Sequence, residues 1–392
     1  ANEFDTHGHG TRAAATAAGD RGVPIVHDSG DAIAPAAKLV IQDGGLSATD
    51  ACTSRPGFGC PVNITPILDQ AYKQGVRIHS NSWGDRQSPT ASYPQPAHDI
   101  DAFVSSHPDM LVVFNTGNGS TWNPGPSSLS APGVAKNTLQ VGGTRGAVGQ
   151  TDRVLAGYSL IGPSRDGRIK PDVVGPAYVL AAAVDSTCTA TWEGGTSWAS
   201  PTVAGAAALV RQYYMDGFYP GGALIPSAAL LKATIVAAAR PVPHVWTGTA
   251  RLDAAPVPSP QQGYGFPVLD DALYFPGDQR KLRVYDVAPG LAEGESFETT
   301  VRVRAGAPFK AVLVWTDAPG PQLVNDLDLR VTSPSGAALG DHDHVNNVEV
   351  ITLDEPAAGA YTIGVSASHL RHGPRQSYAL VLTGDFDAEP PR

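Results

Sequence analysis

Three short segments of the sequence carry side chains that could act together on a carbonyl carbon. His9 lies in Asp5-Thr-His-Gly-His-Gly-Thr11, Asn118 follows an apolar run, and Ser197 lies in Gly194-Gly-Thr-Ser-Trp-Ala-Ser-Pro201. A serine hydroxyl becomes a nucleophile when an imidazole takes its proton, and an amide N–H can stabilise the negative oxygen that the attack creates. Ser197 alone would be interpreted as a helix cap. The three residue types together predict acyl-transfer chemistry.

The helix that begins near Ser197 supports this interpretation. Residues 202–209 are small or apolar on every side, which predicts a buried helix. The first turn of a helix carries unpaired N–H groups and partial positive charge, so it stabilises nearby negative charge. An oxyanion formed beside Ser197 would lie at that position. His7, two residues before His9, is expected to be a loop residue.

Short apolar runs alternate with alanine-rich stretches from Thr11 to about Pro243. This alternation predicts an α/β fold, with a mostly parallel sheet and helices on both faces. The predicted helices are Thr11–Ala18, Ile64–Gln74, Thr202–Tyr214 and Ser227–Arg240, and the predicted strands are Lys38–Gln42, Val76–Ser80, Met110–Asn115 and Thr138–Val141.

The sequence changes character after about Pro256. Seven or so short alternating segments follow, separated by Pro and Gly corners, which predicts an all-β sandwich of about 130 residues. We therefore expect an α/β domain over residues 1–262 and a smaller, jelly-roll-like β-sandwich over residues 263–392. The predicted strands are Lys281–Asp286, Ser296–Val303, Lys310–Trp315, Leu327–Thr332, Glu349–Leu353, Tyr361–Val365 and Tyr378–Leu382.

Composition narrows the possible partners and compartment. The 392 residues carry a net charge of −10, which offers nucleic acid no general attraction. No apolar run approaches the roughly 18 residues that a membrane span needs. Only 16% of the residues are charged, while Gly (43) and Pro (34) are abundant, as in many extracellular proteins. We expect a secreted protein.

The cysteines and the first residue concern processing. Cys52 and Cys60 flank a short Gly/Pro loop and could form a disulfide in an oxidising compartment, or all three cysteines could be free thiols. The first residue is Ala1 rather than Met, and no signal segment precedes it. We therefore expect that polypeptide was removed upstream.

The motifs in this order resemble the subtilisin-like serine proteases, and the resemblance covers almost the whole chain. It includes His-Gly-Thr at a helix start, Gly-Asn-Gly around Asn118 and Gly-Thr-Ser-x-Ala-Ser-Pro around Ser197. Leu323–Leu329 and Val345–Glu349 resemble the C-terminal β-domain of one alkaline-protease branch. The resemblance implies that Ser197 attacks the peptide carbonyl, that His9 transfers the proton, and that Asn118 and the Ser197 backbone N–H bind the oxyanion. Activity should fall below about pH 6–7, because His9 must be neutral to act as a base.

The resemblance also implies where a polypeptide substrate binds. Ser82, Trp83 and Gly84 would form an exposed edge to which extended substrate adds as a strand. Thr116 and Gly117 would line the other side of the first specificity pocket, next to Asn118. No cofactor is expected for catalysis. The family often carries structural calcium, and Asp326, Asp328, Asp341 and Asp343 are candidate oxygen ligands, among which the sequence does not choose. The turn Asp341-His-Asp-His344 is interpreted first as a solvated loop.

The third catalytic residue of the family has no clear counterpart. The family places an Asp on a first core strand, tens of residues before the His, whereas only eight residues precede His9. Asp5 resembles the acidic residue just ahead of the motif, and Asp28 follows His9 and is expected to be a turn residue. Without that strand, the two strands that flank it would bury unpaired backbone groups. We therefore expect a cleaved N-terminal fragment that stays bound and supplies both strand and Asp.

Two other functional classes fit parts of the sequence. The first is a catalytically impaired pseudoprotease that serves as a binding scaffold, although His9, Asn118 and Ser197 are all present. The second is a metallohydrolase built on Asp5, His7 and His9, because His-x-His pairs can bind zinc. No further ligand cluster lies where the sheet would bring it close.

Overall fold

The computed structural model describes residues 8–20, 22, 30–42, 63–84, 91–119, 124–146, 153–183, 189–341 and 343–387. The chain forms two compact units. The first comprises residues 1–100, 112–209 and 240–266, and the second comprises residues 101–111, 210–239 and 267–392. No helix among the described residues is both long enough and apolar enough to cross a membrane.

Five helices and eleven short strands precede residue 268 in the described part of the chain. The helices are α1 His9–Ala18, α2 Thr65–Lys73, α3 Gln95–Ser106, α4 Thr196–Met215 and α5 Ala228–Ala237. The strands are β1 Ile78–Asn81, β2 Leu111–Asn115, β3 Leu139–Arg145, β4 Val154–Ala156, β5 Val173–Pro176, β6 Tyr178–Ala182, β7 Ala190–Gly194, β8 Ala239–Arg240, β9 His244–Trp246, β10 Arg251–Asp253 and β11 Phe266–Pro267.

The main sheet of the first unit is largely parallel. Its strands run in the order β1-β2-β3-β4-β9-β10, and β5 also pairs with β3. The pairs β2–β3, β3–β5 and β4–β9 are parallel, while β3–β4 and β9–β10 are antiparallel. Every residue of β2 is buried, as expected of a central strand that is covered on both faces. The expected α/β fold is confirmed.

Two local expectations were wrong. Residues 38–42 form no strand, and the side chains of Leu39, Val40 and Ile41 are at least 41% exposed. This stretch reaches β1 through a side chain only, because Gln42 Oε1 lies 2.9 Å from Nε2 of His79. The second error concerns α4, which begins at Thr196 rather than at Thr202, so Ser197 lies inside the helix rather than at its cap.

The described sheet has no strand between β1 and β2, which are adjacent. β1 is the terminal strand of this sheet and pairs on one side only among the described residues. In the structure, Asn81 at the end of β1 also donates from Nδ2 to the carbonyl of Val113 in β2, at 3.2 Å.

The later residues form a β-sandwich, as the sequence predicts. Eight strands follow: β12 Lys281–Leu291, β13 Ser296–Val303, β14 Phe309–Val314, β15 Asn325–Thr332, β16 Ala338–Asp341, β17 Val348–Leu353, β18 Gly359–Leu370 and β19 Gln376–Gly384. They form two four-stranded sheets, β12-β19-β14-β17 and β13-β18-β15-β16, and every pair of neighbouring strands is antiparallel. One apolar core, which includes Trp315, Leu329 and Leu380, draws side chains from both sheets.

The second unit also takes in a helix that the sequence placed in the α/β part. All ten residues of α5 are buried, and the helix packs against β14 and β19. Lys310 Nζ donates to the carbonyl of Ala237, at 3.1 Å. A helix that is apolar on all sides must be covered on all sides, which explains why α5 belongs to a compact unit with the strands that cover it.

Candidate active site

Ser197 lies in the N-terminal turn of α4, and its carbonyl needs a donor from outside the helix because Pro201 has no N–H. Pro201 lies inside α4 and has no N–H, so it cannot donate to the carbonyl of Ser197 four residues earlier. The Ser82 hydroxyl donates to that carbonyl instead, at 2.7 Å. In return, Ser197 Oγ lies 3.5 Å from the carbonyl of Ser82. The loop after β1 therefore fixes the start of α4.

His9 is the first residue of α1 and lies against the same turn. Its ring centroid is 5.0 Å from that of Trp198, with the planes inclined at 38°. Trp198 forms a small apolar cluster with Val179 and Ala181 of β6, and Ala13 of α1 packs against this cluster. The structure therefore places the His9 ring against Trp198, the residue that follows Ser197.

Two further contacts fix α1 in the first unit. Arg12 Nε pairs with Glu193 Oε1 of β7, at 3.3 Å. At its other end, α1 approaches α4 so closely that a Cβ on Gly205 would lie 2.9 Å from the carbonyl oxygen of Ala17. Only glycine allows this approach. The helix that carries His9 is thus held on both sides.

Asn118 is oriented by the residue before Ser197. Its Oδ1 accepts from the Thr196 backbone N–H at 2.9 Å and from the Thr196 hydroxyl at 3.0 Å. A backbone N–H can only donate, so the atom that faces it must be the amide oxygen. The Nδ2 group consequently points away from Thr196 and can donate to another oxygen.

The loop that carries Asn118 is paired with residues 158–160. Asn118 forms an antiparallel bridge with Ser159, and the Gly119 N–H donates to the carbonyl of Tyr158 at 2.7 Å. The Thr116 hydroxyl lies 3.1 Å from that of Ser159 and the Gly117 carbonyl accepts from the Leu160 N–H at 3.1 Å. Thr116 and Gly117 thus lie beside Asn118 with their polar groups partly used by the protein.

The segment Ser82-Trp83-Gly84 follows β1, the terminal strand of the described sheet, and is half-buried. Trp83 Nε1 donates to Asn81 Oδ1 at 3.1 Å, and its ring contacts Phe114 of β2 edge to face, at 5.2 Å. These contacts hold the segment next to the strand that leads to Asn118.

His79 lies two residues before Asn81 and is held neutral. Burial lowers the pKa of His79 from 6.5 to about 4, and the hydrogen bond with Asn81 opposes this shift. Nδ1 lies 2.9 Å from Asn81 Nδ2, a donor, and Nε2 lies 2.9 Å from Gln42 Oε1, an acceptor. The proton of the neutral ring is therefore on Nε2.

Sequence reasoning missed three residues that complete this arrangement: Thr196, Gly195 and Trp198. Thr196 orients Asn118, Gly195 leaves space beside it, and Trp198 contacts His9. All three belong to the motif around Ser197, so their position next to the predicted nucleophile was the signal available. Asp5, His7, Asp28, Cys52 and Cys60 lie outside the described residues.

The strongest candidate metal site in the described part of the chain is in the second unit. Asp326, Asp328 and His344 each offer a ligand atom, and these atoms lie within 4.8 Å of one another. His344 Nδ1 is 2.6 Å from Asp326 Oδ2, and this hydrogen bond raises the pKa of His344. Calcium prefers oxygen ligands, which Asp326 and Asp328 offer and the His344 nitrogen does not. Calcium stays a prediction, and the side chain of Asp341 is not described.

Comparison with known proteins identifies the family. A sequence model of the Subtilase family matches residues 1–266. The chain belongs to the subtilase family.

The relatives include long proteins and compact proteases. The chain is 24% identical to the serine protease/ABC transporter B family protein tagD of Dictyostelium discoideum, over 98% of this chain and 29% of that protein. It is 29% identical to subtilisin BL of Lederbergia lenta, over 53% of this chain and 64% of that protein. Among solved structures, sphericase matches with a TM-score of 0.46 and 22% identity, over 66% of this chain and 76% of that one. The chain thus spans less than a third of the relative that it matches along nearly its whole length.

Proposed function

We propose that this subtilase is a serine endopeptidase that cleaves extended polypeptides through an acyl-enzyme at Ser197. Ser197 Oγ attacks the peptide carbonyl, and His9 takes the hydroxyl proton and passes it to the leaving amine. Asn118 Nδ2 and the Ser197 backbone N–H donate to the oxyanion. One observation carries the proposal: Thr196, the residue before Ser197, donates twice to Asn118 Oδ1, so that the Asn118 Nδ2 group points away and can donate to another oxygen.

Labelling with a fluorophosphonate tests the nucleophile without knowledge of the substrate. Ser197 Oγ would bond to phosphorus, fluoride would leave, and the hydroxyl proton would pass to His9. We expect one label, at Ser197, that Ser197→Ala removes and that Ser106→Ala, at an exposed serine of α3, retains. Labelling of Ser197 in the intact chain together with cleavage of labelled casein supports the endopeptidase. A wild-type chain that never labels contradicts it and favours the binding scaffold.

We also propose that the carboxylate partner of His9 comes from a cleaved N-terminal fragment that remains bound. The support is the family resemblance, which places this Asp on a first core strand well before the His. β1 is the terminal strand of the described sheet, so its outer edge is a place where a fragment strand can pair. Mass spectrometry of purified, denatured protein should then show a second peptide. Finding this chain alone, folded and fully active, would overturn the fragment proposal and leave Ser197 as the nucleophile.

A further inference from the structure

The indole N–H of Trp198 is a buried donor that the proposed reaction leaves unused. Trp198 is 4% exposed, and its Nε1 has no hydrogen-bond partner among the residues that the structure describes. Buried indole N–H groups normally find an acceptor. Trp315, which is fully buried in the β-sandwich, shows the usual case, because its Nε1 donates to the carbonyl of Asn325 at 2.9 Å. The exception next to Ser197 therefore points to an acceptor supplied by a ligand.

The Trp198 N–H and the Asn118 amide border the same small space. A Cβ placed on Gly195 would lie 3.7 Å from Trp198 Nε1 and 3.6 Å from Asn118 Nδ2. Gly195 has φ +153°, a conformation that favours glycine, and the lack of a side chain keeps this space open. Two nitrogen donors therefore face one space, immediately before Thr196 and Ser197.

We propose that Trp198 is a further catalytic residue whose Nε1–H donates a hydrogen bond to the oxyanion, beside Asn118 Nδ2. This inference rests on the proposed serine protease function. When the carbonyl oxygen of the substrate becomes negative, it gains an N–H donor that is already in place and already dehydrated. Such a preformed donor stabilises the transition state more than the ground state.

Because the Trp198 ring also contacts His9, the test needs a variant that removes the N–H group and keeps an aromatic ring. Trp198→Phe removes the Nε1–H but keeps an aromatic ring beside His9. In the wild type, the ring centroids of Trp198 and His9 are 5.0 Å apart. A second variant, Trp198→Met, removes both. Trp315→Phe is the matched control, because it removes an indole N–H that is bonded within the protein and lies in the other compact unit.

The experiment measures the second-order rate constant for fluorophosphonate labelling of the full chain, since the phosphonyl oxygen occupies the place of the oxyanion. We expect Trp198→Phe to label at least about tenfold more slowly than the wild type, with the same pH dependence and with a thermal midpoint that is unchanged or higher. Trp198→Met should label at least as slowly. Trp315→Phe should label at the wild-type rate and show a lower thermal midpoint.

The possible outcomes separate this inference from the proposed function. If the wild type labels at Ser197 and Trp198→Phe labels equally fast, the inference is overturned and the serine protease stands. If labelling slows only together with a lower thermal midpoint or a shifted pH profile, Trp198 supports the fold or His9 instead, which also overturns the inference. If the wild type does not label at all, the proposed function has failed, and the oxyanion role fails with it.

Discussion

We expect the stability of the protein to depend on pH through His79, which lies in β1 just before the segment Ser82-Trp83-Gly84. Burial lowers the pKa of His79 from 6.5 to about 4. Between these values the unfolded chain binds a proton that the folded chain does not bind, so stability rises with pH. The contribution of His79 is complete above about pH 6.5 and is lost as the pH falls toward 4. At about 1.36 kcal/mol for each factor of ten in proton affinity, the difference between 6.5 and about 4 corresponds to about 3 kcal/mol.

The matched variant is His79→Asn, which keeps an acceptor for Asn81 Nδ2 but cannot gain a proton. The assay is urea unfolding at pH 7 and at pH 4, followed by tryptophan fluorescence in a Ser197→Ala background that prevents self-cleavage. The parent should lose about 3 kcal/mol more than His79→Asn between the two pH values. His98→Asn, at an exposed histidine of α3, should leave the loss as large as in the parent. Equal losses in the parent and in His79→Asn would refute the assignment to His79.

Three further substitutions test the site and its support. Asn118→Ala should lower turnover by about 10²–10³, the range measured for the equivalent donor in subtilisin; a loss below tenfold would contradict the oxyanion role. Ser82→Ala should lower the free energy of unfolding by about 1 kcal/mol, because the Ser197 carbonyl loses its donor at 2.7 Å, and unchanged urea unfolding would contradict this. Asp172→Ala should lower the free energy of unfolding by about 3–5 kcal/mol, since Lys170 stays buried without the carboxylate that lies 2.7 Å from its Nζ. A decrease below about 1 kcal/mol in urea unfolding would contradict this prediction.

The sequence determined the family, both fold classes and the central motif residues of the site. For most strands of the sandwich, the predicted first residue lies within two positions of the observed first residue. The prediction succeeds because alternating apolar side chains mark a half-buried strand. The same reasoning failed at residues 38–42, where an apolar run stays exposed and pairs with no strand. A local pattern shows which residues prefer a strand, but it cannot show whether a neighbouring strand is available.

Tertiary contacts alone decided how the motifs work together. Pro201 is visible in the sequence, but the replacement of its missing N–H by the Ser82 hydroxyl, 115 positions from the carbonyl that accepts it, is not. The direction of the Asn118 amide is set by Thr196, which is 78 positions away in the chain. The burial of the Trp198 N–H and of the His79 ring likewise depends on how the chain packs around them. Hydrogen-bond satisfaction and desolvation depend on what surrounds a group in space. The sequence could therefore name candidate residues for the reaction, whereas only the fold could set their orientation and protonation.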